Sequence, residues 1–419
     1  MFKHIRGRQD LRPLKAGIYI IFLTFGLIAN GSAEDANSGD FEAWLQNLKG
    51  DARARGISDS TIDRAFRNVS PIDRVIELDR KQPEFTRTFW SYLRNRVTEN
   101  RVERGRKKLD KHEALIRQVS QEYGVPPHYL VAFWGMETNF GAYLGSFPVI
   151  GSLVTLAYDE RRAAFFREQL LHALDIVEAG HIEASDMHGS WAGAMGHMQF
   201  IPTTFTRHAV DASGDGQKDL WHDLHDAFAS GANYLSNMGW KGDERWGREV
   251  ILPENFDWTL ARLDVKKSLA AWARIGVRRA DSGPLPTVEG MKGSIVVPQG
   301  HDGPAFLVYD NFRVIMRWNR SISYAIAVGH LADRLVGRPK IQNGRDVPNQ
   351  PLSRKQAKRL QTLLNELGHD AGKVDGLPGP QTRAAIRRFQ AAAGLPQDGY
   401  PSPPLIKRLT SYAEENGES

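Results

Sequence analysis

Glu137 is the lone carboxylate in FWGMETNFG, and it closes a run in which Leu130, Val131, Ala132, Phe133, Trp134 and Met136 are apolar around the whole helical circumference. A carboxyl group at the end of such a buried helix is poorly hydrated, so its charged form is disfavoured and it holds a proton near neutral pH. That is what a general acid for glycosidic cleavage requires. Taken alone, the residue is equally compatible with a structural glutamate paired to an arginine. A second segment, SWAGAMGHMQFIP from Ser190 to Pro202, favours the catalytic reading. Gly189, Gly193 and Gly196 let the backbone approach a ligand or another chain segment, while Ser190, His197 and Gln199 set hydrogen-bonding groups among apolar ones.

The elements that must hold these residues are mostly helical. Pro126 and Pro127 begin the helix that carries Glu137, and Asn139 to Gly141 can stop it. Upstream, Phe41, Trp44, Leu45 and Leu48 recur at helical spacing, as do Ile57, Ile62 and Phe66 behind a capping Ser58. The basic run Arg101 to Lys111 reads as a solvated helix face rather than a binding strip. Residues 160 to 180 and Ser321 to Leu335 give further helices. Between about 250 and 310 the pattern changes to short apolar runs, Ser294 to Val297 and Phe306 to Tyr309, broken by Pro and Gly, which predicts a small β-rich insertion. Gly337 to Pro351 has the composition of a linker, and residues 352–412 carry their own apolar helical pattern, so the tail should fold separately and act as a tether.

Composition bounds the rest. A chain of 419 residues, 41% hydrophobic and 25% charged, is ordinary globular protein of two or three domains. A net charge of +6 favours acidic partners. No nucleic-acid-binding module is visible, which places nucleic acid last among them. There is no cysteine, and this excludes disulfides, thiolate chemistry and a lipid-modified cysteine. Lys3, Arg6, Arg8, Arg12 and Lys15 precede an apolar stretch from Ala16 to Ala29 and the small residues Gly31-Ser32-Ala33, the pattern of a secretory signal over residues 1–33. Its apolar stretch is short against the ~20 residues of a spanning helix, so membrane contact would come only through an uncleaved signal. The expected location is the periplasm.

FWGMETNFG and SWAGAMGHMQFIP together resemble the lytic murein transglycosylase B family, a branch of the goose-type lysozyme fold. FWSYL around Tyr92, DASGDGQKDLW from Asp211, GANYL near Tyr234 and NFRVIMRWNRSISYAIAV from Asn311 follow in the same order. The tail, with Leu360-Gln361, Val374-Asp375-Gly376, Phe389-Gln390 and Asp398-Gly399, resembles a three-helix peptidoglycan-binding domain. The resemblance implies a mainly α, lysozyme-like catalytic domain over residues 34–336 with a small β-rich insertion, a linker over 337–351 and a peptidoglycan-binding domain over 352–412.

It also implies a reaction. The β-1,4 bond between N-acetylmuramic acid and N-acetylglucosamine in peptidoglycan strands would be cut without water, with Glu137 acting first as acid and then as base to leave a 1,6-anhydromuramoyl end. A hydrolytic muramidase and a silent wall-binding scaffold are the alternatives. Ser190 and Gln199 match positions that hold the sugar, and Tyr92, Tyr234 and Tyr324 match aromatic groove positions. Trp318 stands where the family often has tyrosine, which keeps the ring but loses the phenol hydroxyl. Asp211, Ser213, Asp215, Gln217 and Asp219 follow the first half of an EF-hand loop, but His222 occupies the place of the closing glutamate. The residues alone leave an Asp/Gly turn open. The family's enlarged loop implies a structural Ca²⁺ held by Asp211, Ser213, Asp215, the Gln217 carbonyl and Asp226, with no cofactor needed for the chemistry.

Overall fold

The computed structural model describes residues 41–81, 87–342 and 351–417; the signal over 1–33 and most of the linker lie outside them. The helix expected at Glu137 runs from Pro127 to Thr138, with Pro126 in an extended conformation before it and Asn139 ending it at φ 53°. Every residue from Tyr129 to Met136 is buried. Its neighbours are the helices Ile322–Leu335, Glu99–Lys111 and Glu113–Tyr123. Phe89–Arg96 packs on Ile322–Leu335. Ser58 caps Asp59–Ala65 by accepting from the Thr61 N–H, and Ser321 caps Ile322–Leu335 in the same way through Tyr324 N–H. The 160–180 expectation corresponds to Ala163–Glu178.

Two sheets interrupt the helices. β1 (Phe147–Pro148) and β2 (His188–Gly189) form a short antiparallel pair. The insertion contains β3 (Gly247–Ile251), β4 (Lys267–Ser268), β5 (Arg278–Arg279), β6 (Lys292–Val296) and β7 (Ala305–Val308), in spatial order β4-β6-β7-β3-β5. The reason β6 and β7 read as continuous apolar runs is visible in the packing. Val296, Phe306 and Val308 face the main helical core, whereas Ile295, Ala305 and Leu307 face a second core with Phe256 and Trp272.

The C-terminal helices Arg354–Glu366, Pro380–Ala392 and Pro403–Gly417 enclose a third core around Leu360, Leu364, Ile386, Phe389 and Leu409. A capping box of Ser353 and Gln356 starts the first of them. This domain also touches the insertion, a contact that linker composition does not announce. Asp398 accepts from the backbone N–H of His301 at 2.9 Å and bonds its ring Nδ1 at 2.7 Å.

Candidate active site

The carboxyl group of Glu137 is crowded by protein atoms but the residue keeps an accessible edge, so it is desolvated without being sealed. Desolvation dominates and pushes its pKa up to about 7. Three groups oppose that rise: the Tyr324 hydroxyl, which makes a short hydrogen bond to Oε1, the positive charge of Arg96, and the Trp318 indole N–H. Trp318 thus brings an indole N–H near the acid without making a hydrogen bond to it. Its Nε1 is buried, lies beyond close hydrogen-bond geometry and has no partner among the described residues. The indole is fixed by Phe133, Tyr234 and Phe200, with ring centroids 4.5, 5.1 and 5.4 Å away.

The second segment is tied directly to the helix that ends at Glu137. Trp134 Nε1 donates to His197 Nδ1 at 3.0 Å, which requires the tautomer with its proton on Nε2. Burial pushes the imidazole down to about 4, so the ring stays neutral at working pH. Thr138 Oγ1 donates to the His197 carbonyl at 3.1 Å. Residues three before and one after the acid therefore grip one histidine. Gly196 is needed beside it: at φ 65° it takes a left-handed conformation, and an added Cβ would lie 2.5 Å from the Leu220 carbonyl oxygen.

Gln199 is also left-handed, at φ 49°, without being glycine. Its Nε2 donates to the Leu144 and Gly196 carbonyls, both at 3.0 Å, which turns Oε1 into an acceptor with no hydrogen-bond partner among the described residues. Ser190 is fully buried, and its Oγ accepts the Ala194 N–H at 2.9 Å, so it builds the turn. Tyr324 and Tyr92 are buried at 3% and 7% exposure, leaving edges rather than open faces for a sugar. Tyr234 spends its hydroxyl on the Arg317 carbonyl, and burial raises its pKa to about 12.

Sequence reasoning missed two residues here. Arg96, one turn beyond Tyr92 with its guanidinium 5.9 Å from that ring, is a buried cation acting on Glu137. Among residues of one helix only its spacing from Tyr92 hinted at a shared face. Tyr143 is the one aromatic among the described exposed large hydrophobic residues, and it adjoins the Leu144 carbonyl that Gln199 holds.

In the 211–226 loop, Asp226 is fully buried and accepts backbone N–H groups from Ala212, Ser213 and Asp219, while Asp211 accepts from Gly214, Asp215 and Gly216. Asp215 accepts from Gln217 N–H. The donor set is hard oxygen and fits calcium chemically. Among the described residues, no three acidic or histidine side chains stand together so as to hold a metal ion.

Comparison with known proteins adds the context. The transglycosylase SLT domain family matches residues 40–333, and a peptidoglycan binding domain family matches residues 353–409. Membrane-bound lytic murein transglycosylase B of Escherichia coli (strain K12) is 32% identical over 276 residues, 64% of this chain and 72% of that protein. SltB3 from Pseudomonas aeruginosa, solved with NAG-anhNAM-pentapeptide, is 47% identical, covers 88% of this chain and 99% of its own, and superimposes with a TM-score of 0.86. Escherichia coli Slt35 in complex with calcium is 26% identical, covers 72% and 94% respectively, and has a TM-score of 0.61.

Proposed function

Because this chain belongs to the transglycosylase SLT domain family and is a peptidoglycan lytic transglycosylase, we propose that it works with a single carboxyl group, Glu137, and leaves 1,6-anhydromuramoyl ends. The observation that carries this reading is the charge environment of Glu137. Its carboxyl is desolvated, with a pKa raised to about 7, and the charge named among the groups opposing that rise is the positive one of Arg96. Ordinary glycosidases use two carboxyl groups, roughly 5 to 9.5 Å apart.

The steps then balance without water. Glu137 gives its proton to the glycosidic oxygen as the C1–O4 bond breaks. The resulting carboxylate is held by the Tyr324 hydroxyl and the Arg96 charge, with the unpartnered Trp318 N–H close by, so the groups that oppose its protonation become those that stabilise it after transfer. It next takes the proton of the muramoyl C6 hydroxyl while O6 bonds to C1, and Glu137 is again neutral. The free Oε1 of Gln199 suits the N–H of an acetamido group, and the rims of Tyr92, Tyr234 and Tyr324 suit sugar faces. Ser190 would act through the turn it closes.

Mass spectrometry of digested sacculi tests the reading. Anhydro ends support it, reducing ends mean a muramidase, and no release at all means a scaffold.

Two further elements belong to this proposal. The hard-oxygen loop from Asp211 to Asp226 is read as a structural calcium site, supported by the alternate oxygen spacing and by the calcium complex of a relative. Acting on wall glycan fits an envelope enzyme, and the basic-then-apolar N-terminus supports the periplasm; no helix of the described residues is long and apolar enough to cross a membrane.

A further inference from the structure

The C-terminal domain contains the same device twice. On helix Arg354–Glu366, Arg354, Lys358 and Gln361 occupy positions i, i+4 and i+7; on helix Pro380–Ala392, Arg383, Arg387 and Gln390 do the same. Each glutamine clamps an Asp-Gly turn. Gln361 Nε2 donates to Asp375 Oδ1 at 3.0 Å while Gly376 N–H donates back to Gln361 Oε1 at 2.8 Å. Gln390 Nε2 donates to Asp398 Oδ1 at 2.7 Å while Gly399 N–H returns to Gln390 Oε1 at 2.9 Å. In both turns the aspartate Oδ1 also accepts the N–H two residues on, from Leu377 and Tyr400, at 2.8 Å. The cations serve the two turns from different positions: Arg354, at i, donates to the Asp375 carbonyl at 3.2 Å, whereas in the second copy Arg387, at i+4, donates to the Asp398 carbonyl at 3.3 Å and Arg383, at i, to the Gly399 carbonyl at 3.5 Å.

One copy is occupied. Asp398 Oδ2, the oxygen its own turn does not use, bonds the backbone N–H and ring nitrogen of His301, and Asp264 of the same insertion, itself paired with Arg262, lies within electrostatic range of Arg387 without bonding it. The occupant is therefore a paired N–H donor with a carboxylate nearby. In the other copy Asp375 Oδ2 and Lys358 Nζ have no hydrogen-bond or ion-pair partner among the described residues, and Lys358 is exposed.

We propose that the Asp375–Lys358–Arg354 face is a second, open recognition site that takes what its twin takes from the insertion: a zwitterionic group, with an amine or amide N–H for Asp375 Oδ2 and a carboxylate for Lys358 and Arg354. In the cell wall this chemistry belongs to the diamino-acid of a peptide stem rather than to the glycan. The inference rests on the wall-binding reading of this domain and assigns its ligand to the peptide.

Titration of the full chain with the tripeptide L-Ala-γ-D-Glu-meso-diaminopimelate, followed by backbone NMR shifts, tests it. Shifts should centre on residues around Asp375 and Lys358. Lys358→Glu and Asp375→Asn should each weaken binding about three- to ten-fold, the range of exposed charge-assisted contacts. Replacing diaminopimelate by lysine, which keeps the amine and drops a carboxylate, should weaken it likewise. Lys358 is exposed and makes no internal bond, so its variant remains informative even if Asp375→Asn misfolds. Equal binding by Lys358→Glu, equal binding of the two peptides, or shifts confined elsewhere would each overturn the site. Glycan cleavage is scored separately by the anhydro products, so failure here leaves the catalytic reading standing.

Discussion

Tyr324 and Glu137 lie 187 residues apart in the chain and share one hydrogen bond, from the phenol to carboxylate Oε1. The bond favours the charged carboxylate, and burial favours the neutral one; the balance sits at about 7. In the proposed mechanism the first step needs Glu137 protonated, so kcat/KM should be high below that value and fall as pH rises through it. Tyr324→Phe removes a group that lowers the pKa. The descending limb should therefore move to higher pH, with the plateau rate down about 10- to 100-fold for a lost charge-assisted bond. A pH–rate profile with an unmoved limb would show that the phenol does not tune the acid.

Glu137→Gln keeps the shape and removes the transferable proton. Turnover should drop by about 10² to 10⁴ while glycan binding survives. The variant also reports on linkage. The folded pKa of Glu137 is raised above the ordinary carboxyl value of 4.5, so ionising it opposes folding, and that penalty sets in as pH rises from that value through about 7. Melting curves at pH 8 should place the glutamine variant above the parent, and a lower melting temperature there would contradict the desolvated-acid account.

Calcium should raise the melting temperature, because a ligand held only by the folded state stabilises it by mass action. Asp215→Ala should abolish the rise. Identical curves in EDTA and in millimolar Ca²⁺ would remove the site from the reading.

If the tail works as the expected tether, raising local substrate concentration, a chain ending near Gly337 should keep its turnover on short soluble glycan but bind and digest sacculi less. Its placement adds a finer test. His301 bears a raised pKa from its bond to Asp398. The contact is thus strongest below the ordinary imidazole value of 6.5 and weakens as pH climbs through the raised one. Small-angle scattering should show an expanded particle for His301→Ala at pH 6, comparable to the parent at high pH. Identical scattering in all three samples would mean that the interface holds without this pair.

What the sequence discloses, and what it withholds, follows the range of the interactions. The helix Pro127–Thr138 that carries Glu137 was legible because its signals are local: two prolines at the start, Asn139 at the end, apolar residues between. Trp318 and Tyr324 could be placed near Glu137 only through a family likeness, since no periodicity links positions so distant. Arg96 was missed because an arginine in FWSYLRNR looks like any solvated helix residue until Tyr92 and the main core bury it. Ser190 and Gln199 were picked for their polarity, yet only coordinates reveal that one closes a turn and the other exposes a carbonyl oxygen. The basic helix Glu99–Lys111 reads as a solvated face, yet part of it is not: Arg104 donates to the Asn139 side chain and carbonyl, and Lys108 lies 5.1 Å from the Trp134 ring, contacts that no local pattern announces. Contact between Asp398 and His301 was invisible, because the second Asp-Gly turn reads like the first.

The way β6 and β7 divide their side chains has a thermodynamic corollary. Phe306 feeds one core and Leu307 the other, so neither core can melt without stripping a face from the same sheet. The helical body and insertion should then unfold as one cooperative block, whereas the core around Leu360 and Phe389 shares no residue with either. A calorimetric scan should resolve two heat-absorption peaks rather than three, with the smaller belonging to the C-terminal helices. Cutting and holding would be lost at different temperatures.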